Sequence, residues 1–146
     1  YGISNLEKCF DGIEGSSVEK ISHICCGYPD KLDAIDYPKA PLNSYHQIAK
    51  LLDNSIIDTV SIEDAHRYND LVLLENFKKT KIILGLVKIA SSIEETIDEM
   101  QMRIEEALNH IDLNRLIVAP DCGLGHLPRN LAKKKLKTMV EAVKKY

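Results

Sequence analysis

Hydrophobic positions along this 146-residue chain follow two periods in turn, and the alternation repeats four times. Short apolar runs of β-strand length are each followed by a longer segment whose apolar residues recur at helical spacing. The predicted strands cover residues 18–25, 57–63, 81–87 and 115–119. The predicted helices begin near residues 44, 69, 92 and 128, after a short helical start over 3–13. The pattern predicts an α/β domain of four consecutive βα units.

Local signals mark the starts of the helices. Ser44 is a predicted N-cap, and Ser92 with Glu95 is a predicted capping box. Pro128 is predicted at the first position of the last helix. The helix after the second strand is predicted to open at residues 69–70 and to carry one apolar stripe, formed by Leu71, Leu74 and Phe77.

Two of the strands, 81–87 and 116–119, are continuous apolar runs rather than alternating ones. Such runs are typical of a parallel sheet that is covered on both faces. Four βα units can form half of a (βα)₈ barrel, which usually needs about 250 residues, or a small doubly wound sheet. Because the chain begins without Met, inside an apparent helix, we expect residues 1–146 to be a single partial domain of a longer protein.

Candidate metal-binding side chains lie at the carboxyl ends of three of the four predicted strands. They are His23 and Cys25, Glu63, and Cys122 in the segment 119–125. One imidazole, two thiols and one carboxylate match a tetrahedral Zn²⁺ site. The three segments lie about forty and about sixty residues apart, unlike the close Cys pairs typical of a structural zinc site. Strand ends gathered around one mouth would join them, so the pattern favours the half-barrel and a catalytic metal.

The motifs at these positions resemble the C-terminal catalytic barrel of cobalamin-independent methionine synthase and its relatives. The resemblance rests on His23-Ile24-Cys25, Ile62-Glu63, Gly85-Leu86-Val87, Arg103 and Pro120-Asp121-Cys122-Gly123-Leu124. It implies the second half of a TIM barrel, with the first half absent from this chain. It also implies zinc as cofactor, held by His23, Cys25, Glu63 and Cys122. The implied activity is transfer of a methyl group to a thiol such as homocysteine in methionine biosynthesis, with Glu63 as the displaceable ligand.

Two departures from the family pattern leave the substrates open. Methionine synthases of this type have an Asp and a His in the loop after strand seven, where this chain has Lys88 and Ala90. This difference argues against methyltetrahydrofolate as the methyl donor. The segment 63–67 looks more like the epoxyalkane–coenzyme M transferases, which use the same thiol chemistry on other electrophiles. A further alternative is an inactive half-barrel that dimerises, and metal-free barrels similar to uroporphyrinogen decarboxylase come last.

Further residues receive interpretations of their own. Asp121 is assigned a catalytic role in orienting a ligand or the backbone, with an Asx-type turn as the alternative. His66 and Arg67 are candidates for binding an anionic substrate group, with an ordinary surface loop as the alternative. Cys26 is interpreted as a buried small hydrophobe and Cys9 as a packing residue.

Composition and charge exclude several classes of partner. The net charge of −3 gives no electrostatic case for nucleic-acid binding, and the basic run 133–135 is interpreted as a solvated helix face. No apolar stretch or leader indicates a membrane or secreted protein. The four cysteines are interpreted as free or metal-bound thiols in a reducing compartment, which predicts a cytoplasmic protein. A half-barrel leaves sheet edges open, so we expect the missing half or a second copy as partner, besides the thiol and the alkyl donor.

Overall fold

The structure is a computed structural model that describes residues 2–13, 15 and 17–146. Its four strands form one parallel sheet in the order β1-β2-β3-β4. The strands are β1 (Ile21–Ile24), β2 (Thr59–Ile62), β3 (Lys81–Val87) and β4 (Leu116–Pro120). The α-helices are α1 (Gly2–Lys8), α2 (Ser44–Asp53), α3 (Ile97–Leu108) and α4 (Arg129–Val143), and 3-10 helices cover Leu71–Asn76 and Leu113–Arg115. This architecture confirms the predicted α/β class.

The hydrophobic core lies between one face of the sheet and the helices. Alternate residues of β2 and β3 point into it and are fully buried, among them Val60, Ile62, Ile82 and Leu84. The predicted stripe after β2 joins the same core, because Leu71, Leu74 and Phe77 are all buried. Burial of this apolar area is the main stabilising term for the fold.

The opposite face of the sheet is largely open. Ile21 is 48% exposed and Ile117 is 42% exposed, while Ser61 and Ile83 between them are half-buried. Ser61, Ile83 and Ile117 are paired with one another across the strands, and Ile21 lies two residues before His23, which pairs with Ser61. Side chains two residues apart in a strand point to the same face, so all four lie on one face of the sheet. The prediction of a sheet covered on both faces is therefore met on the helical side only.

Several predicted helix starts differ in detail from the structure. The capping box of α3 is Thr96 with Glu99, not Ser92 with Glu95. Both pairs have the same spacing, but the Glu95 side chain accepts a hydrogen bond from the backbone N–H of Lys88 instead. Ser44 is the first residue of α2 and not its N-cap.

The other differences concern lengths and ends. The helix after β2 is a single 3-10 helix capped by the Asp70 side chain, and β1 is shorter than predicted. Pro128 occupies the N-cap position of α4. The expected solvated face at 133–135 is wrong for Lys135, which is buried and donates to the Ile93 carbonyl oxygen at 2.6 Å and to both Glu95 oxygens at 3.1 Å. None of the helices in the described ranges is long and apolar enough to span a membrane.

Candidate metal centre

The carboxyl ends of the strands bring three of the predicted ligands together. His23 lies in β1, Cys25 directly follows that strand, and Cys122 follows β4. Their donor atoms all lie within 4.8 Å of one another. A tetrahedral zinc ion with bonds of about 2.0–2.3 Å would hold such atoms about 3.3–3.8 Å apart. The donor set therefore fits a zinc ion after a small closure.

The imidazole of His23 is oriented by a second polar group. Its Nδ1 atom is 2.9 Å from Ser61 Oγ on the neighbouring strand, where the two residues are paired in the register. This bond leaves Nε2 as the nitrogen available to a metal. Metal-binding histidines commonly use the other ring nitrogen in this way.

Glu63 reaches the cluster through Cys25. The Cys25 thiol donates to Glu63 Oε1 at 2.9 Å, and the backbone N–H of Cys26 donates to the same oxygen at 3.3 Å. The group of donor atoms that are mutually within 4.8 Å comprises His23, Cys25 and Cys122, without Glu63. Glu63 is buried beside Cys25, outside this group.

The Cys25 thiol is protonated in this arrangement. Removal of the sulfur from water and the hydrogen bond to Glu63 raise the pKa of Cys25 to about 12, although the residue as a whole is exposed. A metal binds the thiolate, so its binding must displace this proton. All four cysteines are free, and Cys9, expected to be a packing residue, is exposed on the surface after α1.

Asp121 anchors the loop that follows β2. Its two side-chain oxygens accept the backbone N–H groups of Asp64, Ala65 and His66 at 2.9, 2.8 and 2.7 Å. The side chain is fully buried, which raises the pKa of Asp121 to about 6 in spite of these three bonds. Gly85 makes room for it, since a Cβ there would lie 2.1 Å from Asp121 Oδ1. Asp121 thus positions the chain beside Glu63 and Cys122.

A second buried network holds the same loop from α3. Arg103 donates from Nε to Asp64 Oδ2 at 2.6 Å and from Nη2 to Asp64 Oδ1 at 2.8 Å. The guanidinium also donates to the Asn69 carbonyl oxygen at 2.8 Å and lies 4.6 Å from the ring centroid of Tyr68. Asn69 in turn donates to the Glu63 carbonyl oxygen at 2.6 Å. Arg103 was singled out in the sequence only through the family resemblance. The structure gives it a role, because its bidentate ion pair with Asp64 holds the loop after β2.

The two candidate anion-binding residues are already engaged within the chain. His66 Nε2 accepts the backbone N–H of Ala90 at 3.2 Å, and burial lowers the pKa of His66 to about 4. The imidazole is therefore neutral at pH 7. Arg67 Nη2 donates to the Ala40 carbonyl oxygen at 2.7 Å. The role of His66 and Arg67 in binding an anionic substrate group stays a prediction. In such a site Arg67 would supply the positive charge.

Three residues near the cluster were not found from the sequence. The Tyr28 hydroxyl donates to the Gly123 carbonyl oxygen at 2.9 Å, and its ring centroid lies 5.1 Å from that of His126. His126 Nε2 donates to the Pro29 carbonyl oxygen at 2.8 Å. Lys39 Nζ lies 3.2 Å from Glu63 Oε2. A tyrosine, a histidine and a lysine in loops carry no spacing signal, and only the fold brings them to the site.

Known proteins with similar sequences include methionine synthases and a coenzyme M enzyme. A methionine synthase from Pyrococcus abyssi is 31% identical over 103 residues, which cover 70% of this chain and 30% of that protein. One from Methanocaldococcus jannaschii is 29% identical, and the match covers 99% of this chain and 44% of that protein. A 2-hydroxypropyl-CoM lyase from Xanthobacter autotrophicus is 26% identical, with the same coverage of 99% and 44%. The chain thus spans less than half the length of these relatives.

A solved structure and a family model agree with these relatives. The B12-independent methionine synthase from Shewanella sp. W3-18-1, solved with selenomethionine, superposes with a TM-score of 0.82 and 27% identity. The superposition covers 97% of this chain and 41% of that one, which supports the predicted half-barrel. The model for the catalytic domain of the cobalamin-independent synthases matches residues 41–145, a range that includes Glu63 and Cys122 and begins after Cys25. The chain therefore belongs to the cobalamin-independent synthase family, as part of its catalytic domain.

Proposed function

We propose that this chain is the metal-binding part of a zinc-dependent enzyme that transfers a methyl group from a small-molecule donor to a thiol such as homocysteine. The observation that carries the proposal is the convergence of the His23, Cys25 and Cys122 donor atoms within 4.8 Å. His23 and Cys25 lie in the first quarter of the chain and Cys122 in the last, so the fold and not the local sequence brings their donor atoms together. The methionine synthases among the relatives support the reaction class.

The chemistry requires a thiolate at neutral pH. A free thiol has an ordinary pKa of about 8.5, so that only a small fraction is in the nucleophilic form. Zn²⁺ bound by His23, Cys25 and Cys122 would lower the pKa of a thiol beside it. The protein residues supply the rest, because they fix the donor atoms and hold the loops that enclose them.

Glu63 has a different role from the three converging ligands. We propose it as the fourth and weakest ligand, with which a substrate thiol competes. Its carboxylate stays outside the mutually close group and is already shared between Cys25 and Lys39. Asp121 and Ser61 are positioning residues. Asp121 holds the loop that carries Glu63, and Ser61 orients the imidazole of His23.

A second candidate function keeps the thiol and changes the electrophile. The 2-hydroxypropyl-CoM lyase among the relatives matches nearly the whole chain, and Lys88 and Ala90 replace the Asp and His expected of a folate-dependent methionine synthase. This alternative is thiol alkylation similar to that of the epoxyalkane–coenzyme M transferases. The cluster of His23, Cys25 and Cys122 would activate the thiol in either reaction.

The open face of the sheet supports a proposal about what completes the site. Ile21 and Ile117 are exposed on the same face as His23. We propose that the first half of a barrel, or a second copy of this chain, covers this face in the active enzyme. The thiol acceptor and the alkyl donor would then bind between the two halves. An isolated chain would be inactive and would associate through the same face, burying more than about 1,000 Å² in total.

Zinc content tests the proposal. The intact protein, purified without added metal and analysed by elemental mass spectrometry, should contain about one zinc per chain. Cys122→Ser should lose most of this zinc, because it removes one of the two thiolates. The matched control is Cys9→Ser, which changes an exposed thiol after α1 and should retain the metal.

Two outcomes would contradict the proposal. A wild-type protein that takes up no zinc from a buffered excess would show that the three side chains do not form a metal site. Equal zinc contents in Cys122→Ser and Cys9→Ser would show that the metal lies elsewhere.

A further inference from the structure

The carboxylate of Glu63 is held from two sides by different partners. Oε1 accepts the Cys25 thiol at 2.9 Å and the Cys26 backbone N–H at 3.3 Å. Oε2 lies 3.2 Å from Lys39 Nζ, with only 13% of the lysine side chain and 6% of the glutamate side chain exposed. One oxygen therefore faces the metal ligands and the other faces an ammonium group. The lysine is the one positive group that the structure, over its described residues, pairs with Glu63.

Lys39 is itself fixed in place. Its ammonium lies 4.8 Å from the ring centroid of Tyr37, and the next residue, Ala40, donates its backbone N–H to the Cys26 carbonyl oxygen at 2.7 Å. That bond joins the lysine segment to the chain directly after Cys25. The position of Lys39 relative to Glu63 is therefore set by the backbone as well as by the ion pair.

We propose that Lys39 is a positioning residue that sets how strongly Glu63 competes for a metal at the His23, Cys25 and Cys122 cluster. The inference rests on the proposed function. Because the ammonium group on Oε2 draws negative charge from the shared carboxylate, Oε1 is a poorer donor to a metal, and the ion pair also holds the carboxylate outside the mutually close group. Lys39 thus weakens the fourth ligand and favours its replacement by a substrate thiol.

A simpler effect of the same charge makes a different prediction. The ammonium group could act on a divalent cation by direct repulsion, with no part played by Glu63. Removal of the charge would then strengthen metal binding equally whether or not residue 63 is a carboxylate. A double-mutant cycle between Lys39 and Glu63 separates the two effects.

The experiment uses the intact protein with Co²⁺ as the metal and homocysteine as the thiol. Chelator competition gives the Kd of Co²⁺, and the change in cobalt absorption on titration with homocysteine gives the Kd of the thiol. We expect Lys39→Met to bind Co²⁺ about tenfold more tightly and homocysteine about tenfold more weakly, at the lower end of the effects of residues that contact metal ligands. Lys39→Arg keeps the charge and should stay within about twofold of the wild type in both constants.

The decisive comparison is made in the Glu63→Gln background. There Lys39→Met should change neither constant, because the carboxylate through which it acts is absent. Lys39→Gln is a second neutral variant and is interpreted in the same way if Lys39→Met does not fold.

Two results would overturn the inference alone. The first is a Lys39→Met protein whose Kd values for Co²⁺ and homocysteine equal those of the wild type. The second is a Lys39→Met substitution that shifts these Kd values equally in the wild-type and Glu63→Gln backgrounds. Failure of the proposed function would appear differently, as a wild-type protein that binds Co²⁺ independently of Cys122 or not at all. The Lys39 inference would then fail with it.

Discussion

Two loops bring ligands to the same site and are built in opposite ways. The β2 loop, residues 63–70, carries Glu63 and is largely buried, with Asp64 fully inaccessible. The β1 loop, residues 25–43, carries Cys25 and Lys39 and is mostly exposed, with Ile35 at 101% of its reference exposure. The β2 loop is held by hydrogen bonds to the buried side chain of Asp121 and to the half-buried side chain of Arg103. The β1 loop contacts the rest of the chain at separate points, among them the bonds of Tyr28 to Gly123, Asp33 to Ala90 and Ala40 to Arg67.

The difference assigns separate tasks to the two loops. Buried ion pairs and hydrogen-bonded backbone groups give the β2 loop a fixed geometry, so the backbone of Glu63 is held in one position. Exposed segments with few buried contacts open at lower free energy than the core. The exposed part of the β1 loop can therefore adjust when a metal or a thiol binds, while the β2 loop and β4 supply the frame.

The largest expected effect comes from breaking the frame at Asp121. Asp121→Asn keeps the shape but turns an NH₂ group toward backbone N–H donors of residues 64–66, leaving buried groups unsatisfied. We expect the free energy of unfolding to fall by about 3 kcal/mol. Asp30→Asn, an exposed change in the β1 loop, should leave it within about 0.5 kcal/mol of the wild type. Urea unfolding followed by circular dichroism measures both, and equal midpoints would remove the distinction between the loops.

A smaller loss is expected when the bidentate ion pair is reduced to a single contact. Arg103→Lys keeps the charge but cannot contact both Asp64 oxygens and the Asn69 carbonyl oxygen together. The free energy of unfolding should fall by about 2 kcal/mol. Arg129→Lys, at the exposed start of α4, is the control and should be neutral. An Arg103→Lys protein as stable as this control would show that the pair does not stabilise the β2 loop.

The pH dependence of stability should contain a contribution from His66. Its pKa in the folded protein is lowered to about 4 from an unfolded value of 6.5, so the folded state binds fewer protons between these values. The contribution is therefore fully present above pH 6.5 and is lost as the pH falls toward 4. Allowing for partial exposure, the loss is about 1–2 kcal/mol. His66→Gln, whose side-chain oxygen can still accept from Ala90, should lose less stability over this range than the wild type. Parallel stability curves for the two proteins from pH 7 to pH 4 would contradict the assignment.

The smallest effect concerns the contact that ties the β1 loop to Cys122. Tyr28→Phe removes the hydroxyl that donates to the Gly123 carbonyl oxygen. We expect a loss of stability of about 0.5–1 kcal/mol and severalfold weaker zinc binding, because Cys25 and Cys122 lose one connection between their loops. Tyr146→Phe also removes a hydroxyl bond, at 3.3 Å to the Gln101 carbonyl oxygen, but far from the site. Zinc affinities that stay equal in the two variants would show that this contact does not position the cluster.

Much of the fold could be predicted because it depends on local patterns. The strand Lys81–Val87 was predicted to the residue, since a continuous apolar run between charged and polar residues leaves little freedom in its ends. The start of α3 was wrong because 92–95 and 96–99 carry the same capping pattern. Only the tertiary contacts of Glu95 with Lys88 and Lys135 decide between them.

The site divides in the same way. The residues offering metal-ligand chemistry stand out in the sequence, since His23, Cys25, Glu63 and Cys122 lie at or just after the carboxyl ends of predicted strands. Asp121 was singled out, but its three bonds to a loop more than fifty residues away could not be read from its neighbours. Lys39 was missed because its partner Glu63 meets it only through the β1 loop. Long-range polar contacts of this kind carry no sequence period.

X-ray absorption at the zinc edge tests the central claim most directly, because it counts the sulfur atoms bound to the metal. The intact protein loaded with one equivalent of zinc should show two sulfur ligands together with imidazole scattering, as expected for His23, Cys25 and Cys122. Cys122→Ser, where it retains metal at all, should show one sulfur. A wild-type spectrum with only nitrogen and oxygen ligands would contradict the account.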